Sequence, residues 1–223
     1  LDALRGLGAD RVPIEGLAAT LQAAGVTVNV DGAGALVDNN PELAGAISVP
    51  RFNPRDLLAA LGEAPPVTAD PDVLKRYEMQ GSWSFSGDKA AIENIVTTLD
   101  DTQVRGWFRV TSLAATALAF DLELDNIDLD RYMAPEAEVA TSNQSAASAA
   151  SGDESLDLPV EDLRALNLQG RLGIGQLKFA DARLNDVKIN VKAKDGLIRL
   201  NPLTAALYDG SYSGDIRLDV RGA

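Results

Sequence analysis

The stretch Leu166–Gly222, LNLQGRLGIGQLKFADARLNDVKINVKAKDGLIRLNPLTAALYDGSYSGDIRLDVRG, decides the fold. Its large apolar residues fall on alternate positions. Leu172 and Ile174 alternate with Arg171 and Gly173, and Val187, Ile189 and Val191 with Lys188, Asn190 and Lys192. Ile198 and Leu200 flank Arg199, and Ile216, Leu218 and Val220 alternate with Arg217, Asp219 and Arg221. A period of two sends successive side chains to opposite faces of a strand. Asp195-Gly196 and Asp209-Gly210 stand between the runs, and Asp-Gly is the dipeptide that two-residue hairpin turns favour. The pattern predicts an antiparallel meander with one apolar and one charged face. Such an apolar face must be covered by helices, by another sheet or by an apolar ligand.

Working outward, Ala90–Leu99, Thr102–Thr111 and Thr116–Asp125 read as further strands, with Leu118, Phe120, Leu122 and Leu124 on one face of the last. Val26–Val30 and Ala44–Val49 read as strands of a truncated preceding unit. Prolines at Pro13, Pro54, Pro71 and Pro159 are each followed within two residues by an acid: Glu15, Asp56, Asp72 and Glu161. Proline suits the first helical position and acids oppose the positive helix end, so four short helices are expected there. Gly25 and Gly62 read as helix-terminating glycines. The octets Leu74–Gly81 and Leu163–Gly170 match in apolar spacing, end in Gln-Gly and run into alternating strands, which suggests an internal repeat of helix plus meander. Between them, Ala134–Ser155 is rich in Ala and Ser, with Val139 its single large aliphatic residue; such a segment cannot bury enough surface to order itself. The expected fold is α+β: long antiparallel, curved β-sheet meanders with a few short Pro-initiated helices. The expected domains are a helix-plus-meander unit over residues 1–133, truncated at its N-terminus, a flexible linker over 134–155, and a second unit over 156–223 packing on the first.

Composition excludes much chemistry. The chain of 223 residues has no Cys and no His, which removes thiol nucleophiles, imidazole bases, disulfides and nearly all zinc or iron sites. A net charge of −13 argues against nucleic acid and against electrostatic docking on anionic headgroups. Aromatic content is 5%, so aliphatic residues must fill most of any core. No run of about 18 apolar residues is present to span a membrane as a helix. The chain opens Leu1-Asp2-Ala3 without Met, and we expect it to be part of a longer protein. Asp125, Asp128 and Asp130 lack the glycine and terminal glutamate of an EF-hand loop and read as a strand end entering a solvated turn. Asp100-Asp101 reads as a hairpin turn. Ser82, Ser84 and Ser86 have no nucleophile-elbow context, and Gly170–Gly175 opens no helix as a phosphate loop would. No catalytic, cofactor-binding or metal-ligating residue is therefore nominated, and no enzyme activity is expected.

Four stretches resemble the AsmA family of Gram-negative envelope proteins: Phe52–Gly62, Leu99–Val110, Phe120–Met133 and Ala193–Gly222. The last is the most specific, because turn glycines and alternation arrive together over its length. The resemblance implies a periplasmic body in outer-membrane biogenesis, held to the inner membrane by an anchor elsewhere in the full-length protein. It also implies repeated curved sheets forming a groove that shields phospholipid or another apolar ligand. No family motif defines that groove residue by residue. Trp83, Phe85, Leu118, Phe120 and Leu122 are the lipid-facing candidates, because they place large apolar side chains on single strand faces. The alternative expectation is a scaffold that binds outer-membrane proteins or their assembly machinery through strand edges.

Overall fold

The turns dictate the topology. Ala24-Gly25, Ala180-Asp181 and Asp195-Gly196 each supply two consecutive residues with positive φ, the backbone that two-residue hairpins require. The chain therefore folds back on itself repeatedly, and each strand pairs with the one before it. The computed structural model of the protein describes residues 11–38, 40–135 and 160–222. Among them, eleven strands form one curved, open sheet in chain order. They are β1 (Arg11–Ala23), β2 (Val26–Val37), β3 (Asn40–Phe52), β4 (Tyr77–Ser86), β5 (Lys89–Leu99), β6 (Thr102–Ser112), β7 (Ala117–Asp128), β8 (Leu168–Phe179), β9 (Ala182–Lys194), β10 (Leu197–Leu207) and β11 (Gly210–Asp219). Every neighbouring pair is antiparallel except β7 and β8, which run parallel from Leu118↔Leu168 to Asp128↔Lys178. A parallel pair needs a crossover, and residues 129–167 supply it.

Bulges keep the apolar face in phase. Ile92 and Ile95 are three apart, so strict alternation would send them to opposite faces. Their partners on β6 are Phe108 and Gly106, two apart, so both lie on one face. Asn94, with φ of 52°, takes up the extra residue. The same correction brings together Ile14 and Leu17, Val49 and Phe52, and Leu200 and Leu203. On β9 the register shift opposite Thr204/Ala206 brings Leu184 onto the face of Val187 and Ile189. The most enclosed part of the face is there: Ile174, Val187 and Ala205 are buried, with Leu124, Ile127, Leu172, Leu177, Leu184 and Ile189 packed around them.

The helices do not lie across the sheet. Helix α1 (Pro54–Ala60) is capped by the Asn53 side chain, which accepts the Arg55 N–H. A 3-10 turn, η1 (Leu129–Arg131), follows β7, and helix α2 (Val160–Ala165) precedes β8. The long loop after α1 and the η1 turn are clasped at one end of the sheet by Asp100, in the β5–β6 turn. Its carboxylate accepts the backbone N–H groups of Leu74 (2.6 Å), Lys75 (2.9 Å) and Arg76 (3.1 Å) and the Tyr132 hydroxyl (2.9 Å). Arg131 bridges Asp70 (2.7 Å) and Asp101 (3.0 Å), and Arg55 donates to Val73 O (2.8 Å) and Pro66 O (3.1 Å). Val73 is fully buried beneath this clasp. Burial opposes the ionisation of Asp100, but the backbone N–H groups of Leu74 and Lys75, the Tyr132 hydroxyl and the Arg76 N–H outweigh it and hold the carboxyl below its usual range. Burial, then the hydrogen bond to Asp100, pushes the Tyr132 phenol up.

Several expectations are corrected. The expected long, curved meanders are present with few helices, and the fold is mostly β rather than α+β. Two of the four expected helices form, after Asn53 and over Val160–Ala165. The segment after Pro13 is the edge strand β1, where a residue without an N–H is tolerated, and Gly25 is a hairpin turn rather than a helix terminator. The segment after Pro71 is an irregular loop that enters β4 at Tyr77. The last hairpin turns at Tyr208-Asp209, so that Gly210 already begins β11. The expected linker, residues 134–155, lies outside the described residues beyond Pro135.

Candidate functional site

The site is the apolar face itself. Cross-strand partners share a face, so the register can be followed across the whole sheet. One row runs Gly45, Trp83, Ile92, Phe108, Phe120, Gly170, Val191, Leu200 and Ile216, from β3 to β11. The next row runs Leu43, Phe85, Ala90, Val110, Leu118, Leu168, Ala193, Ile198 and Leu218. A third holds Gly106, Leu122, Leu172, Ile189, Leu203 and Gly214. No charged side chain interrupts any of these rows. The crossover from β7 to β8 does not break them, because the parallel pairing sets Leu118, Phe120, Leu122 and Leu124 against Leu168, Gly170, Leu172 and Ile174.

All five candidates lie on this face: Trp83 and Phe120 in the first row, Phe85 and Leu118 in the second, Leu122 in the third. Each is half-buried, and no helix among the described residues encloses any of them. Glycines shape their surroundings. The Trp83 indole lies across β3 toward β2, where its Nε1 donates to Asp31 O at 2.9 Å. A Cβ on Gly32 would come within 2.8 Å of that ring. The Phe120 ring occupies the space over Gly170, whose Cβ would meet it at 2.4 Å. The glycines thus let large rings lie down along the sheet instead of standing off it.

Sequence reasoning missed other members of the face. Phe108 alternates with Trp107 and Arg109 and was open to the same reading as Phe120. Ile127, Leu177 and Leu184 were hidden because each lies past a bulge, where period-two counting puts it on the wrong side. The signal that could have found them is an apolar residue three positions beyond an alternating run: Leu124 to Ile127, Ile174 to Leu177, Leu184 to Val187.

The opposite face is polar. Arg171 pairs with Asp121, Arg199 with Asp215, Arg109 with Glu93 at 2.6 Å and Arg51 with Glu78 at 3.3 Å. Ser82 donates to Glu93 O at 3.2 Å and accepts from the Asn94 amide at 2.9 Å, so it is part of the bulge's hydrogen bonding. Asp125, Asp128 and Asp130 serve the backbone. Asp125 accepts the Gln103 and Asn126 N–H groups, Asp128 caps η1, and Asp130 accepts the N–H groups of the Ala180-Asp181 turn. Lys178 lies 3.3 Å from Asp128 and 3.1 Å from Asp130. Asp130 is kept below the usual carboxylate range because these hydrogen bonds outweigh its desolvation.

Among the described residues no helix is long and apolar enough to cross a membrane. No curated protein and no solved structure matches the chain. The family model described as the AsmA family matches residues 58–223, from within α1 through β11, and on this match the chain belongs to the AsmA family.

Proposed function

We propose that this chain is a non-enzymatic, periplasmic segment of an AsmA-like envelope protein that shields phospholipid acyl chains along its apolar sheet face. In the full-length protein an inner-membrane anchor would hold it, and its role would lie in outer-membrane biogenesis. One observation carries the reading: a single-layered sheet presents unbroken apolar rows, and no helix among the described residues covers them. An ordinary half-apolar sheet is paired with a second layer. Here the helices, the long loop and η1 gather at the strand ends, so the face is left for a ligand. Eight strand spacings separate Gly45 from Ile216, roughly 38 Å along the sheet, ample for an extended acyl chain. Lipid contact needs no catalytic group, in keeping with carboxylates engaged in caps and ion pairs.

The reading also treats residues 1–133 and 156–223 as two related units. In each, a Gln-Gly strand, β4 or β8, opens a four-stranded meander, and the parallel β7–β8 seam joins the two meanders into one surface.

A benzophenone amino acid at position 120 tests the proposal in cells. Phospholipid adducts at Phe120, absent with the same probe at Ser84 on the polar face, are the expected outcome. Capture of protein alone at position 120 would overturn it. A second reading is favoured by the exposed edge strands: on β11, Tyr212 is 51% and Ile216 47% exposed. There the chain would be a scaffold that receives a partner strand, and crosslinks to envelope proteins from β11 without lipid at Phe120 would support it.

A further inference from the structure

The polar face carries a depression of about 630 Å³ over strands β6 to β10. Its floor is Ala119, a small residue, 7% exposed, between Arg109 and Gln169. At one end stands Trp107, with the Arg109 guanidinium 4.1 Å from its ring centre. At the other end three cations lie in one cross-strand row: Lys192 opposite Arg199, and Arg199 opposite Arg217. Like charges directly opposite on a sheet are destabilising, and in a chain of net charge −13 this row runs against the overall field. Arg199 is held by Asp215, and Arg217 lies 3.6 Å from Asp219. Among the described residues Lys192 joins no ion pair, although it faces the depression.

Between the two ends, the amides of Gln169 and Asn190 line the depression, and Arg171 is fixed there by Asp121. Amides both donate and accept, so they match hydroxyl groups rather than a bare anion. Trp107 and Lys192 are three strand spacings apart, roughly 14 Å, too far for one phosphate or carboxylate to touch both. An indole offers an apolar surface that suits the C–H face of a sugar ring.

We propose that this depression binds an anionic oligosaccharide, its acidic group between Lys192 and Arg199, its hydroxyls on Gln169 and Asn190, and a ring against Trp107. The site lies on the face opposite the apolar rows and is independent of the lipid reading.

Calorimetry on the purified domain at low ionic strength tests it with three probes: trigalacturonic acid, neutral maltotriose and inorganic tripolyphosphate. We expect saturable binding of trigalacturonic acid at least ~10-fold tighter than of either other probe. Trp107→Ala and Lys192→Gln should each weaken it by ~5-fold or more, with unchanged circular dichroism. Should Trp107→Ala misfold, Lys192→Gln decides the matter, because an exposed lysine on a polar strand face carries no packing. Tripolyphosphate binding as tightly as trigalacturonic acid would reduce the site to an anion patch and overturn the proposal. So would trigalacturonic acid that fails to bind at millimolar concentration, or that binds Lys192→Gln as well as the parent.

Discussion

Asp100 is the residue through which one end of the sheet is organised, and its contribution depends on its charge. Leu74 N–H and Tyr132 hydroxyl both donate to one oxygen, Lys75 and Arg76 N–H to the other. Asp100→Asn sets an amide NH₂ against donors at one of these oxygens. Loss of hydrogen bonds to a charged acceptor should cost about 2–3 kcal/mol, read as a lower urea midpoint at pH 7. The pH dependence has a definite sign. The folded carboxyl sits below its ordinary range, so its stabilisation is complete above the unfolded pKa and is lost as pH falls through the folded one. The Asn variant should lack that acid-sensitive component; a variant with the parent's acid profile would show that Asp100 does not bear it. Gly106 makes a different residue-scale claim. Its φ is 145°, and a Cβ there would lie 1.9 Å from Asp121 O, a backbone atom of the neighbouring strand. Gly106→Ala should therefore cost about 2 kcal/mol or more in chemical denaturation, and near-neutrality would mean that β6 and β7 are less closely paired there than described.

At the scale of elements, the positions of most strands were legible in the sequence, and the bulges inside them were not. β5, β6 and β7 were placed to within about three residues of their observed ends, because period-two runs bounded by turn residues admit few other readings. β1 was read as a helix for a physical reason. Ile14, Leu17 and Leu21 have helical spacing, and Pro13 and Glu15 imitate a helix start. In the structure Gly16, with φ of 68°, absorbs one residue in a bulge, so Ile14 and Leu17 fall on the same strand face while Leu17, Ala19 and Leu21 alternate. A bulge thus counterfeits helical periodicity. The Pro71 segment failed for want of a distant partner: its backbone donors are taken by Asp100, about 25 residues away, and Leu74 is held at φ of 58°, which no helix accepts. Of the candidate site, the shared face of the five nominees was legible because each sits in an uninterrupted run, as do Ile174 and Val187, whereas Ala205 joins them only past the register shift between Leu200 and Leu203. A paired substitution tests the register. Ile189 packs on the apolar face between Leu172 and Leu203, while Lys188 is exposed on the other side. Ile189→Asp should cost about 2 kcal/mol or more, and Lys188→Asp should stay within about 0.5 kcal/mol of the parent. Equal effects would show the face assignment of β9 to be wrong.

For the molecule as a whole, each strand packs chiefly on its neighbours, so the sheet is close to a one-dimensional array. The apolar area that a second layer would cover is instead left at the surface, half-buried by lateral packing. That arrangement makes the proposed shielding of hydrocarbon testable with simple amphiphiles. If the face shields hydrocarbon, affinity should follow the apolar length of the ligand, since each buried methylene contributes about 0.8 kcal/mol. Saturated fatty acids of increasing length share one headgroup, so lengthening the chain by two methylenes below micelle formation should tighten binding by roughly tenfold until the face is filled. A bound ligand that prefers the folded state raises the thermal midpoint, so the same series should show progressively higher midpoints at one concentration. Phe120→Asp places a carboxylate in the middle of the row from Gly45 to Ile216, between Phe108 and Gly170, and should flatten the series. Lys188→Asp, on the other face, should leave the series intact and so separate lost binding from a general loss of fold. A midpoint that rises equally for short and long chains would point to the carboxylate rather than the hydrocarbon as the recognised group. It would remove the apolar rows from the account of what this protein binds.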